Sequence, residues 1–230
     1  EKENNMILIP CCNYLMGKNM QERADFSPQH QVKISSFYID QFEVTNKEYF
    51  DFCQSTGHSL PEFWNLSGFR NGLKYPDHPV IGISWIDANE YAKWTGKRLP
   101  TEAEWECAAR GGKAEKDFPD GSLFNPEKEG INYGQSAKGT IKVGCYNPNS
   151  YGLYDMAGNV WEWVADWYSQ SYYQRSSFND PKGPKKGRFR VIRGGSWHSG
   201  AYCTQVHYRN ALPANWVDFA VGFRCAKNYK

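Results

Sequence analysis

A chain of 230 residues, 40% hydrophobic and 16% aromatic, is long enough for one sizeable core, and no break in composition divides it. Its net charge of +2 gives no argument for nucleic acid or for an anionic membrane surface, and no apolar run is long enough to cross a bilayer. Seven cysteines are too sparse for a disulfide scaffold and include no C-x-x-C pair for zinc, so the redox compartment stays open.

Residues 6–44 read as strands and turns: MILIP is a short apolar run, YLMG ends in a turn, and QVKISSFYIDQFEV partly alternates. The period changes at Thr45. Thr45 with Glu48 makes a capping box, and Val44, Tyr49, Phe52 and Cys53 lay an apolar stripe along a helix that Gly57 can end. Residues 58–78 are polar and punctuated by Gly and Pro, as a long surface loop would be. Ser84 with Asp87 opens a second helix that buries Ala88, Tyr91 and Ala92 and closes at Gly96. Thr101 with Glu104 opens a third, stopped by Gly111 and Gly112. Beyond Gly112 no helix of ordinary length is predicted. The expectation is therefore an α+β domain whose helices pack on a largely irregular β region. The basic run from Lys182 to Arg190 is expected to be a solvated loop.

The segment Arg190 to Cys225 stands apart. Arg193, Gly194, Gly195, Ser196 and Trp197 read as a rigid lead-in, and Gly222, Phe223 and Arg224 as an apolar exit. Between them Ala201, Cys203, Val206, Arg209 and Pro213 would serve a fixed scaffold. The remaining residues follow neither alternation nor a helical stripe. Two readings fit: a binding surface whose contacts are chosen independently of the fold, or an irregular loop at the core edge.

Four blocks carry a resemblance. They are the opening ILIP…YLMG with FYIDQFEVTNKEYFDF, then HPVIGISWIDANEYAKWTGKRLPTEAEWECAARGG, YGLYDMAGNVWEWVADWY, and RVIRGGSW…GFRCA. In this order they resemble the formylglycine-generating enzymes, the sulfatase-modifying factors, over nearly the whole chain. The resemblance implies a single lectin-like domain over residues 1–230, with the C-type-lectin-like α+β fold in its formylglycine-enzyme form and much irregular chain. The family oxidase holds copper on two cysteines after GGS. Here Ser199 stands nearest the first and Cys203 near the second, and a hydroxyl does not replace a thiolate as a copper ligand. No copper and no catalytic residue are therefore expected. The alternative is a copper oxidase of the formylglycine-generating type, or another family chemistry that uses Cys203 alone. The resemblance also implies a structural calcium on the Asp155 and Glu162 side chains and the Gly158 and Val160 carbonyls. The plainer alternative is that Glu162 and Asn159 satisfy buried backbone. A disulfide between Cys107 and Cys225 is implied as well, although Cys107 lies two residues earlier than the family's cysteine.

Within the family, GGSW-xxx-A-x-C-T-x-V-xx-R-xxx-P-…-GFR resembles the variable proteins of diversity-generating retroelements. That implies a variable display region at 190–225, a non-catalytic ligand-binding role, and a place outside the cell or on its surface as a bacterial lipoprotein. Any anchor would lie upstream of Glu1. The ligand positions implied are His198, Ser199, Gly200, Tyr202, His207, Tyr208, Asn210, Ala211, Leu212, Ala214, Asn215, Trp216, Val217, Asp218 and Phe219. Trp216 is reachable by adenine changes from an AGG arginine codon; the other positions, where they differ from asparagine, are reachable in that way from an asparagine codon. The expected partner is a macromolecule, a protein before a small molecule, with no nucleic acid. Classical calcium-dependent sugar binding lacks its Glu-Pro-Asn, Gln-Pro-Asp or Trp-Asn-Asp motif.

Overall fold

The three capping boxes start three helices. Thr45 accepts from the Glu48 amide while Glu48 reaches back to the Thr45 amide, and this opens α1 (Asn46–Thr56). Gly57 ends it at φ +73°, a left-handed conformation that costs glycine little. Ser84 and Asp87 open α2 (Trp85–Trp94), which buries Ala88, Tyr91 and Ala92 as its periodicity predicts. Its cap falls at Thr95, one residue before the expected glycine. Thr101 and Glu104 open α3 (Glu102–Arg110), closed by Gly111. The structure, a computed structural model, describes residues 5–20, 24–113, 117–119, 131–134 and 136–229. Among these residues no α-helix follows residue 112.

Strands β1 (Met6–Ile9), β2 (Cys12–Met16), β3 (His30–Ile34) and β4 (Phe37–Asp40) precede α1. Strands β5 (Trp161–Trp167), β6 (Phe189–Arg193), β7 (Arg209–Pro213), β8 (Val221–Gly222) and β9 (Ala226–Asn228) follow α3. β1, β4 and β9 form one antiparallel sheet, so the end of the chain is stitched to its beginning through Phe37 opposite Asn228. β2 and β3 pair as a ribbon. The third sheet is β7-β6-β5-β8, antiparallel except where β8 runs parallel to β5. The architecture is α+β.

Two buried apolar clusters lie between these layers. One surrounds α3 and holds Trp105, Phe26, Phe37 and Val191. The other lies under α1 and α2 and holds Tyr49, Phe52, Tyr91, Trp163 and Phe223. α3 is buried at every residue, including Glu102, Glu106 and Arg110. A helix buried all round is ordinarily apolar, so these charges need partners brought from elsewhere in the chain.

Two expectations are corrected here. Cys107 is bonded to Cys12 on β2, 95 residues away, and Cys225 is a buried free thiol. The reason is placement: Cys107 packs in the α3 cluster beside β2, whereas Cys225 belongs to the other cluster. The basic run is a loop only in part. Lys182 and Lys185 to Arg188 are exposed, but Phe189 and Arg190 begin β6. The Arg190 guanidinium lies 3.6 Å from the Trp85 ring and 3.5 Å from the Trp167 ring, and donates to the Ala165 carbonyl at 2.6 Å. Such a sandwich contributes on the order of 2 kcal/mol where water is excluded.

Candidate ligand-binding surface

Three buried arginines hold the segment 190–225 at its start, middle and end. Arg193 closes β6, Arg209 opens β7 and Arg224 follows β8; each is essentially inaccessible to water. Arg193 donates to Glu102 at 2.9 Å and to Glu106 at 2.6 Å. Arg209 forks onto the same Glu102 through Nε at 2.8 Å and Nη2 at 2.6 Å, and its Nη1 reaches the Asp25 carbonyl. Arg224 forks onto Glu162 at 2.8 and 2.7 Å and donates to the Tyr154 carbonyl. Burial alone would raise the Glu106 pKa, but Arg110 and Arg193 outweigh it and hold the carboxylate at about 2. Burial opposes the charge on Arg209 and Arg224 too, and Glu102 and Glu162 reverse the effect so that both guanidinium pKa values rise. A fork onto a desolvated carboxylate fixes direction as well as distance, so these pairs set where the intervening chain must run.

Between the arginines lie the fifteen predicted ligand positions. His198, Gly200, Tyr202, Asn210, Asn215 and Trp216 are exposed, Tyr202 at 39% and Trp216 at 54%. Ser199, Tyr208, Ala211, Leu212, Ala214, Val217, Asp218 and Phe219 are half-buried. Their backbone is tied to fixed parts of the fold. Gly82 donates to the Asp218 carbonyl at 3.0 Å, Trp85 to that of Ala214 at 3.1 Å, and Gly134 to that of Ser199 at 2.9 Å. The side chains gather in two aromatic groups. His198 and Phe219 meet at 5.7 Å, with Trp197 5.4 and 5.8 Å from them. Tyr202 and Tyr208 meet edge-on at 5.2 Å, and Tyr208 rests against Trp161.

His207 does not belong with them. It is 1% exposed, edge-on to Phe26 at 5.0 Å, with Nδ1 3.5 Å from Asp117. Burial lowers its pKa to about 4, against the opposing pull of Glu106 and Asp117. It sits between buried Val206 and buried Arg209, on the side of the chain that faces the core. The segment is also more regular than its sequence implies. Ala201–Thr204 forms a 3-10 turn, and β7 runs antiparallel to β6 with Ala211 opposite Val191. Of the expected scaffold, Val206 and Arg209 are buried, whereas Ala201, Cys203 and Pro213 are half-exposed at the rim.

Sequence reasoning missed several neighbours. Phe69, from the loop after α1, lies 6.1 Å from Phe219 and stacks on Phe63 at 4.8 Å. Glu62 donates its amide to the Gly82 carbonyl, and a Cβ on Gly82, at φ +72°, would stand 2.7 Å from the Phe63 ring. The fixed loop thus adjoins the Phe219 group. Its aromatic content was the only available signal. Glu43 was missed as well: it is 1% exposed and accepts from Asn159 Nδ2 at 2.6 Å and the Val160 amide at 3.2 Å.

Of the positions expected to hold calcium, the two carboxylates are hydrogen-bonded within the chain. Both Glu162 oxygens accept from Arg224, and Oε2 accepts from the Trp105 indole as well, at 2.8 Å. Asp155 accepts from the Gly144 amide at 2.7 Å, and burial raises its pKa to about 6. Among the described residues no three His, Cys, Asp or Glu side chains are grouped to hold an ion. Of the pair that matters for copper, Ser199 accepts from the Ser196 amide at 3.1 Å and shares a hydrogen bond with the Ser196 hydroxyl. Cys203 is a free thiol in the 3-10 turn.

No helix among the described residues is long and apolar enough to cross a membrane. The chain matches the sulfatase-modifying factor enzyme 1-like domain over residues 1–229. It is 38% identical over 238 residues to the serine/threonine-protein kinase pkn1 of Chlamydia pneumoniae, covering 97% of this chain and 38% of that protein. It therefore spans well under half the length of the chlamydial relatives it matches. It is 36% identical over 257 residues to the formylglycine-generating enzyme of Streptomyces coelicolor, covering 88% of this chain and 81% of the relative. Among solved structures, Treponema denticola variable protein 1 superposes with a TM-score of 0.81 at 26% identity, covering 97% and 95% of the two chains. PvdO from Pseudomonas aeruginosa does so with a TM-score of 0.83 at 29% identity, covering 97% and 94%. Sequence and architecture agree: this chain belongs to the formylglycine-generating enzyme, or sulfatase-modifying factor, family and has its C-type-lectin-like α+β fold.

Proposed function

We propose that this domain is a non-catalytic binding module that presents the exposed part of residues 198–219 to a macromolecular ligand, a protein first of all. One observation carries the reading: in the same short segment the arginines are buried and locked onto glutamates, while His198, Tyr202, Asn210, Asn215 and Trp216 between them are exposed. An exposed position accepts almost any side chain at little cost to stability, and a buried one does not. Tyr202, Trp216 and Phe219 would anchor the contact, since aromatic rings bury much area for few rotatable bonds. The likeness to Treponema denticola variable protein 1 supports a display role. Diversification by a retroelement is the finer part of the proposal. It requires a reverse transcriptase gene nearby and a near-copy of the 190–225 coding segment that carries adenines where the two differ. An extracellular or cell-surface setting belongs to the same reading, and labelling of intact cells tests it.

Relatives named formylglycine-generating enzymes favour a second reading, an enzyme of that kind, for which the family resemblance implies copper-dependent oxidation. Cu(I) titration together with a cysteine-containing peptide substrate separates the two. The display reading expects no tight Cu(I) binding and no consumption of the peptide thiol. Turnover that is lost in Cys203→Ser would replace it with the oxidase.

A further inference from the structure

The loop between α1 and α2 folds around a recess of about 440 Å³ that Lys138 also lines. Three cationic side chains line it, Arg70, Lys74 and Lys138, with Asn65, Ser67 and Tyr75 among the other lining residues; among the described residues no carboxylate does. None of the three cations forms an ion pair with a described residue. Arg70 is half-buried and spends Nη1 on the Thr140 carbonyl at 2.7 Å and Nη2 on that of Ala137 at 2.9 Å. These carbonyls orient the guanidinium without neutralising it. Lys74 lies 5.9 Å over the Tyr75 ring, again an uncharged partner. The acid nearest in sequence, Asp77, is held at 2.9 Å by Lys142. The field reaches beyond the recess: burial, and after it the charge of Arg70, lowers the pKa of His78.

Three like charges that line one recess, with no counter-charge among the described residues, repel one another, and an anion seated among them offsets that cost. The backbone is shaped to the same place. Gly72 takes φ +127°, and a Cβ there would stand within contact of the Asn65 side chain, while Lys138 itself adopts a left-handed φ of +51°. The guanidinium N–H groups that the two carbonyls leave unused, beside two flexible ammonium groups, suit a tetrahedral oxyanion, which offers oxygens in several directions at once.

We propose that this recess is a binding site for a compact oxyanion, phosphate or sulfate, either free or carried as a monoester on a larger ligand. The site does not depend on the display reading, because the recess would take its anion whatever the neighbouring Phe69–Phe219 surface meets.

The test uses the full chain, labelled with nitrogen-15 and titrated at constant ionic strength with sodium phosphate, sodium sulfate and glucose 6-phosphate, with sodium acetate as control. Saturable shifts are expected for amides of residues 65–75 and 138. The Lys74→Gln/Lys138→Gln variant should weaken them about tenfold or more while melting at the same temperature, since both lysines are exposed. Comparison with the variant removes the general stabilisation that sulfate and phosphate give any protein. Tighter binding of glucose 6-phosphate than of free phosphate assigns the site to an esterified anion, and equal or tighter binding of the free ions assigns it to those. The absence of saturable shifts overturns the proposal, as do equal shifts in the double variant or an acetate response as strong as that of phosphate.

Discussion

Arg209 and Asn210 are neighbours on β7, yet they belong to different regimes. Arg209 is fully buried and forks onto Glu102, whereas Asn210 is exposed and its side chain accepts from the amide of the next residue. The same division separates Arg193 from His198 and Arg224 from Asn215. Stability in this segment is concentrated in a few ionic clamps, which frees the residues between them for contact. The division can be broken at four levels, taken here from the largest expected effect to the smallest.

Arg209→Ala leaves the Glu102 carboxylate buried without one of its two arginines, and should cost about 3–5 kcal/mol in urea or thermal unfolding. A cost like that of a surface change would mean that the clamp does not hold the segment. Removal of the Cys12–Cys107 link by Cys12→Ser should cost about 2–4 kcal/mol, because it releases a loop of 95 residues in the unfolded chain. Peptide mapping without reductant should return those two cysteines joined and Cys225 unlinked. Recovery of Cys107 joined to Cys225 would restore the expectation corrected above.

The third test is pH. The ordinary histidine value is 6.5, and the folded His207 sits at about 4. Between these values the unfolded chain binds the extra proton, so stability is complete above about pH 6.5 and falls as the pH drops towards 4. The loss should be roughly 1–3 kcal/mol, and His207→Gln should flatten that part of the profile measured by chemical denaturation. The smallest effects belong to the face. Tyr202→Ala, Asn215→Ala and Trp216→Ala should each change stability by less than about 1 kcal/mol. If their melts shifted as far as that of Arg209→Ala, these side chains would be core and the division would collapse.

Local chemistry was legible in the sequence. Thr45 with Glu48, Ser84 with Asp87 and Thr101 with Glu104 each place both halves of a cap within one turn, so the spacing alone locates the helix starts. The two sides of the binding segment were readable in part, because Gly-Gly-Ser-Trp and Gly-Phe-Arg mark its framework. The clamps were not. Glu102 and Arg209 are 107 residues apart, and nothing local in TEAEWECAAR says that its glutamates point into the core. His207 was misread for a related reason: it lies beside Tyr208 in the chain, and only the tertiary position of Phe26 and Asp117 turns it inward. Cys107 and Cys225 were paired by resemblance, whereas the packing of β2 on α3 chose Cys12.

Glu102 receives Arg193 on one oxygen and Arg209 on both. The consequence concerns inheritance. Loss of Arg209 leaves Glu102 with Arg193 alone, and loss of the glutamate leaves Arg209 without a carboxylate while Arg193 keeps Glu106. Replacement of all three by apolar side chains of similar bulk need not be costly. Sequences descended from this one can therefore drift at Asn210 or Trp216 one codon at a time, while the Glu102 trio is confined to changing together.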